Sequence, residues 1–148
     1  MNYEEIYSQF YSKLTDPNFF KQYSKTEAYE LMRDWLHGTI GLPHVRKCFS
    51  DISLDDEVLE LTYELVDSID NDSDELFVKD ILAQGMVICW MQQKIDKATS
   101  LATVIGGKEE KTILNNYKSN IERLDKLELK LKKTIRDHGY YNRDIGEE

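Results

Sequence analysis

Apolar residues recur at helical spacing along most of this chain. Tyr3, Ile6, Tyr7, Phe10, Tyr11 and Leu14 fall at i, i+3, i+4, i+7, i+8 and i+11, which predicts an amphipathic helix over residues 2–14. Thr15-Asp16-Pro17-Asn18 ends it, and Asp16 or Asn18 can cap the next segment. A second helix starts at Thr26 and carries Tyr29, Met32, Trp35 and Leu36 on its apolar face. His37-Gly38 and Gly41-Leu42-Pro43 predict a break or bend there, with one further turn over residues 44–49.

The period changes over residues 58–66. Leu59, Leu61, Tyr63 and Leu65 alternate with Glu60, Thr62 and Glu64, which favours an extended segment. The rival reading is a helix through Val58, Leu61, Leu65 and Val66. A lone strand leaves its backbone groups unmet. No second strand stands out in the chain, so pairing with a strand of another molecule is the expectation attached to this segment.

Helical spacing then returns. Asp70-Asn71-Asp72-Ser73-Asp74-Glu75 is a turn and cap whose carboxylates suit the positive end of a helix dipole. The helix it opens is expected from Ser73 to Lys97. From Ile81 to Met91 that helix is apolar on nearly every side apart from Gln84, the profile of a helix buried on more than one face. Gly85 in its middle costs about 1 kcal/mol of helix propensity relative to alanine, which points to close approach by another helix. Ile105-Gly106-Gly107 reads as a break. The longest helix comes next, Lys108 to His138, with Ile113, Tyr117, Ile121, Leu124, Leu127, Leu131 and Ile135 as its apolar seam. The expected fold is therefore mainly α: a small helical bundle with one long C-terminal helix and an extended segment near 58–66. Residues 1–138 form one domain, and residues 139–148 form a tail that docks on assembly.

Charge sharpens this picture. The 148 residues carry a net charge of −9. Residues 51–80 alone hold twelve acids and one lysine, so the rest of the chain is near neutral. Such a block repels nucleic-acid phosphates and suits a basic protein partner, or serves as a solvated acidic surface. No apolar run is long enough to span a membrane, and MNYEEIYSQF does not read as a secretory signal. Cys48 and Cys89 are too few and too far apart for a disulfide framework, and a reducing cytoplasm is the expected place of synthesis.

Candidate chemistry is sparse. A calcium loop starting at Asp70 would need glycine and glutamate where Glu75 and Ile81 stand. Gly106-Gly107-Lys108 lacks the rest of a phosphate-binding loop, since Ala102 and Glu109 occupy the other defining positions. No pair among His37, His44 and His138 has the spacing of a helical metal site. No nucleophile motif is present, and no acid pair is singled out. The expectation is a chain that is not an enzyme and has no catalytic residue, cofactor or metal. Lys126, Lys130, Lys132, Lys133 and Arg136 make a basic surface on the last helix, diluted by Glu122, Asp125, Glu128 and Asp137.

Several of these segments resemble one family. Ile81-Leu82-Ala83-Gln84-Gly85-Met86-Val87, then Trp90-Met91 and Lys94-Ile95, is similar to the buried helix of head–tail connector (adaptor) proteins of tailed bacteriophages. Ile105-Gly106-Gly107-Lys108-Glu109-Glu110-Lys111 resembles their break before the last helix. Asn116 with the leucine seam resembles that helix, and Tyr140-Tyr141 its aromatic end. The likeness covers the C-terminal half and departs at Thr112-Ile113-Leu114, where an aromatic and small polar residues are expected. It implies a non-enzymatic virion protein of the phage neck, assembled in the host cytoplasm. Such a protein forms a ring, typically dodecameric, joins the portal protein to a stopper or tail-completion protein, and lines the channel for passing double-stranded DNA. Leu59, Leu61, Tyr63 and Leu65, with Tyr140, Tyr141 and Arg143 of the tail, are then the candidate partner contacts. The alternative, from another class, is a cytoplasmic helical regulatory adaptor that binds one partner.

Overall fold

The computed structural model describes the backbone of residues 1–14, 19–105 and 107–146, and the side chains of residues 1–14, 21–97, 111–112 and 115–140. The expected stop at Thr15-Asp16-Pro17-Asn18 and Gly106 of the expected break lie outside the described residues.

Helix α1 (Tyr3–Lys13) opens on Asn2, whose side chain accepts a hydrogen bond from the Glu4 N–H. Its stripe of Tyr3, Ile6, Tyr7 and Phe10 is buried. One turn, α2 (Phe19–Gln22), leads to α3 (Lys25–Ile40). Ser24 caps α3 by accepting from the Glu27 N–H, and Ala28, Met32, Trp35, Leu36 and Thr39 face inward. The break expected at His37-Gly38 does not occur. The helix runs through Gly38 and stops at Gly41, whose N–H bonds back to the His37 carbonyl. One glycine costs only about 1 kcal/mol. Burying Leu36 and Thr39 on either side of it outweighs that. Pro43 begins the short α4 (Pro43–Arg46), where its missing N–H costs nothing.

Two strands come next, β1 (Phe49–Asp55) and β2 (Glu60–Leu65), paired antiparallel. The extended segment is therefore real, but its second strand lies in the same chain, which corrects the expectation that another molecule must supply it. The reason β1 escapes a reading by alternation is its irregular register. Phe49 faces Leu65, Ile52 faces Tyr63 and Leu54 faces Leu61, with a shift between Phe49 and Asp51. The extra residue, Ser50, restores parity, so that Phe49 shares one face with Ile52 and Leu54. On β2, Leu61 and Leu65 are buried and Tyr63 is half-buried.

Helix α5 (Asn71–Ile105) is the hub: α1, α3 and α6 (Gly107–Gly146) all pack on it. Every residue from Ile81 to Ile88 is buried, as expected of a helix covered on more than one face. Gly85 meets α3 so closely that a Cβ would lie 2.1 Å from Thr39 Cγ2. Along the antiparallel α5–α6 pair, Gln84 Nε2 donates to Thr134 Oγ1 (3.2 Å) and His138 stacks on Phe77 at 3.7 Å. Leu124 and Leu131 of α6 are buried against this core. Both long helices exceed their expected bounds: α5 continues to Ile105, and the backbone of α6 stays helical through the segment read as a tail, to Gly146. Among the described residues no helix is long and apolar enough to cross a membrane.

Candidate functional site

The acidic block of the sequence becomes a surface built from the hairpin and the first turns of α5. Its tip is fastened to the helices. Asp55 accepts hydrogen bonds from the Glu57 and Val58 N–H groups and so closes the turn. Leu59 completes it with φ at 57°, a left-handed conformation unusual for leucine. Its carbonyl accepts from the Tyr3 N–H at 2.9 Å, and Leu61 N–H bonds to the Met1 carbonyl at 2.7 Å. Residues 1–3 thus lie along the outer edge of β2. Asp56 gathers two further groups there: the Tyr3 hydroxyl donates to it at 2.7 Å, and His37 Nε2 sits 2.9 Å from the same carboxylate. The Tyr3 hydrogen bond, then that of His37, holds the Asp56 carboxyl below its ordinary pKa. Burial and the adjacent Asp56 raise that of the Tyr3 phenol.

At the other end of the hairpin an acid-lined hollow of about 600 Å³ opens, bordered by Tyr63, Glu64, Leu65, Ser68, Asp74 and Glu75 among others. Asp74 is buried, accepting from the Ser68 hydroxyl and the Ile69 N–H. Asp70 caps α5 by accepting from the Ser73 N–H at 2.7 Å, which lowers its own pKa. Val66 and Leu76, next in sequence to lining residues, are 60% and 68% exposed. Carboxylates with bare aliphatic groups beside them suit a partner that brings both cations and apolar contact.

A smaller cavity of about 260 Å³ lies between α4, α5 and α6, lined by His44, Lys47, Cys48, Asp67, Phe77, Ile135 and His138. His138 Nε2 sits 2.8 Å from the Asp67 carbonyl. Burial, with Lys132 nearby, lowers the His44 pKa against the pull of Glu128, and burial pushes the Cys48 thiol up to about 11. A thiol so protonated is a poor nucleophile at neutral pH. Among the described residues no cluster of His, Cys, Asp or Glu could hold a metal ion. This cavity holds the packing of α6 onto α4 and α5 rather than reactive groups.

The outward face of α6 carries the opposite sign. Lys126, Leu129, Lys133 and Arg136 lie along one exposed ridge at spacings of three and four, with Lys130 and Lys132 beside it. Glu122, Asp125 and Asp137 are exposed on the same face and dilute it: Glu122 and Asp125 stand one turn before Lys126 and Leu129, and Asp137 lies 3.8 Å from Arg136, while Glu128 turns partly inward. Leu129 is 67% exposed in the middle of the ridge.

The candidate partner contacts divide between these surfaces. Leu61 and Leu65 point into the core, Tyr63 borders the acid-lined hollow, and Leu59 is exposed at the turn. Tyr140 is exposed on α6, while the side chains of Tyr141 and Arg143 lie outside the described residues. The Tyr3–Asp56–His37 cluster was not legible in the sequence, because its members are 53 and 19 positions apart. Only the surplus of acids near residue 56 hinted that cations or hydroxyls would gather there. No protein-family model, curated protein or solved structure matches the chain.

Proposed function

We propose that this chain is a non-enzymatic structural adaptor of a tailed-phage neck, one subunit of a ring that joins the portal protein to a stopper or tail-completion protein. The observation that supports this most is the antiparallel α5–α6 pair. Among the described residues, α5 is held to α1 through Lys79, which meets Glu5 at 3.7 Å, and to the segment before α3 through Lys97, which lies over the Tyr23 ring. The helix then continues for roughly two more turns to Ile105. A long antiparallel helical pair on which the other helices pack suits a part that contacts several neighbours.

The charge distribution supports the same reading. A surface with a concentrated acidic face steers basic protein surfaces and turns nucleic-acid phosphates away. An adaptor under the portal has to bind protein neighbours while letting DNA pass. The test is reconstitution: the purified chain is mixed with the portal ring of the same phage and the complex imaged. The expected result is a ring of density on one end of the portal, typically twelvefold. Failure to bind portal, with stable binding to a single host protein instead, would replace this reading with that of a regulatory adaptor.

A further inference from the structure

The basic ridge of α6 is an unpartnered helix face with a leucine at its centre. Five cations lie around Leu129, against the exposed acids Glu122, Asp125 and Asp137 on the same face. On the same chain, the acid-lined hollow presents Glu64 and Glu75, with Asp74 buried in its wall and Val66 and Leu76 exposed beside it. Lys79 neutralises part of this, lying 3.9 Å from Glu75. Asp67 and Asp72 are exposed close by in sequence and add to the field. Each surface carries an excess of what the other needs: cations around one aliphatic centre, carboxylates around two.

We infer that the α6 ridge of one copy docks on the acidic hairpin face of the next copy. The two patches lie on different elements, so the contact is head-to-tail rather than self-complementary. Repetition of such a contact gives a closed ring or an open chain of subunits. Leu129 seats against Val66 and Leu76, and Lys133 and Arg136 meet Glu64 and its neighbours across the hollow. Arg136 must exchange its exposed intrachain contact with Asp137, a 3.8 Å pair worth little in water, for the intermolecular one. The inference rests on the ring in the adaptor reading and assigns its subunit contact, but its test needs no portal and no virion.

The test is charge reversal read by sedimentation velocity and native mass spectrometry. One variant carries Lys133→Glu with Arg136→Glu; the other carries Glu64→Lys with Asp72→Lys. All four positions are exposed, and circular dichroism checks that each variant folds. The wild-type chain should associate in low salt and dissociate as salt screens the contact. Each variant alone should be monomeric, because its two faces then share one sign. An equimolar mixture should associate again, since each variant's altered face meets its complement on the other. A wild-type chain that stays monomeric, or a mixture that does not associate, overturns the inference. If the wild type is monomeric but binds a duplex DNA probe through the ridge, and the α6 variant loses that binding, the ridge is a nucleic-acid face instead. Absence of the protein from phage particles would remove the adaptor reading while leaving this self-association result standing.

Discussion

Gly85→Ala is the sharpest test of how the bundle is held. In an isolated helix the change stabilises by about 1 kcal/mol. Here the new methyl would lie 2.1 Å from Thr39 Cγ2, 2.9 Å from Oγ1 and 3.0 Å from Cβ. Thr39 cannot swing aside at low cost. It is fully buried, β-branched, and its hydroxyl donates to the Trp35 carbonyl at 2.8 Å. The helices must therefore part, and overpacking of this kind costs typically 1–3 kcal/mol, sometimes more. A 2.1 Å approach puts that cost at the upper end, so after the helix-propensity gain the expected net effect is destabilisation by about 1–2 kcal/mol, read as a lower urea midpoint at unchanged slope. Thr39→Ala removes the two closest atoms and costs about 1 kcal/mol by itself. In that background Gly85→Ala should become neutral or stabilising by up to about 1 kcal/mol, a coupling that a double-mutant cycle measures directly. A Gly85→Ala variant as stable as wild type, or one whose cost is unchanged by Thr39→Ala, would refute the close approach of α3 and α5.

Three further perturbations separate the faces and the titrating groups. Leu131→Ala, fully buried, should cost about 2–5 kcal/mol of folding free energy, whereas Leu129→Ala, largely exposed, should stay within about 0.5 kcal/mol in the isolated chain; comparable losses in urea melts would contradict the orientation of α6. Asp56 should titrate below the ordinary carboxylate value by NMR, and Tyr3→Phe should move it upward. Because its folded pKa is depressed, its contribution is present above the unfolded value and lost as pH falls through the folded one. An Asp56 titration unmoved by Tyr3→Phe would count against the cluster. His44 is kept neutral by burial, so the unfolded chain binds its proton first as pH falls below about 6.5, and stability falls with it until the folded pKa is passed. Urea midpoints at about pH 7.5 and about pH 5.5 should differ less in His44→Gln than in wild type; an equal difference would show that other groups carry the pH dependence.

The helices were legible because their cores are local patterns. Ile6, Tyr7 and Phe10, or Leu124 and Leu131, declare one buried stripe, and the run from Ile81 to Ile88, apolar apart from Gln84, declares a helix covered on several faces. Gly85 pointed to a close neighbour but could not name Thr39. What escaped was set by tertiary packing. Ser50 adds one residue to β1 and breaks the alternation that would have revealed it. Gly38 stays helical because its neighbours on α3 are buried against α5. The stop drawn after His138 ignored that His138 itself stacks on Phe77 and keeps α6 in register with α5. The acidic block was visible as composition, but its division into a fastened tip at Asp56 and an open hollow at Glu64 depends on the hairpin fold.

A ring-forming part of a phage neck, as we propose this chain to be, has a fixed copy number in purified particles of the source phage. Quantitative mass spectrometry against the portal protein gives that number. The expected result is a copy number equal to that of the portal within error. Absence from particles, with the protein abundant in the infected cytoplasm, would contradict a neck role and put a regulatory adaptor in its place.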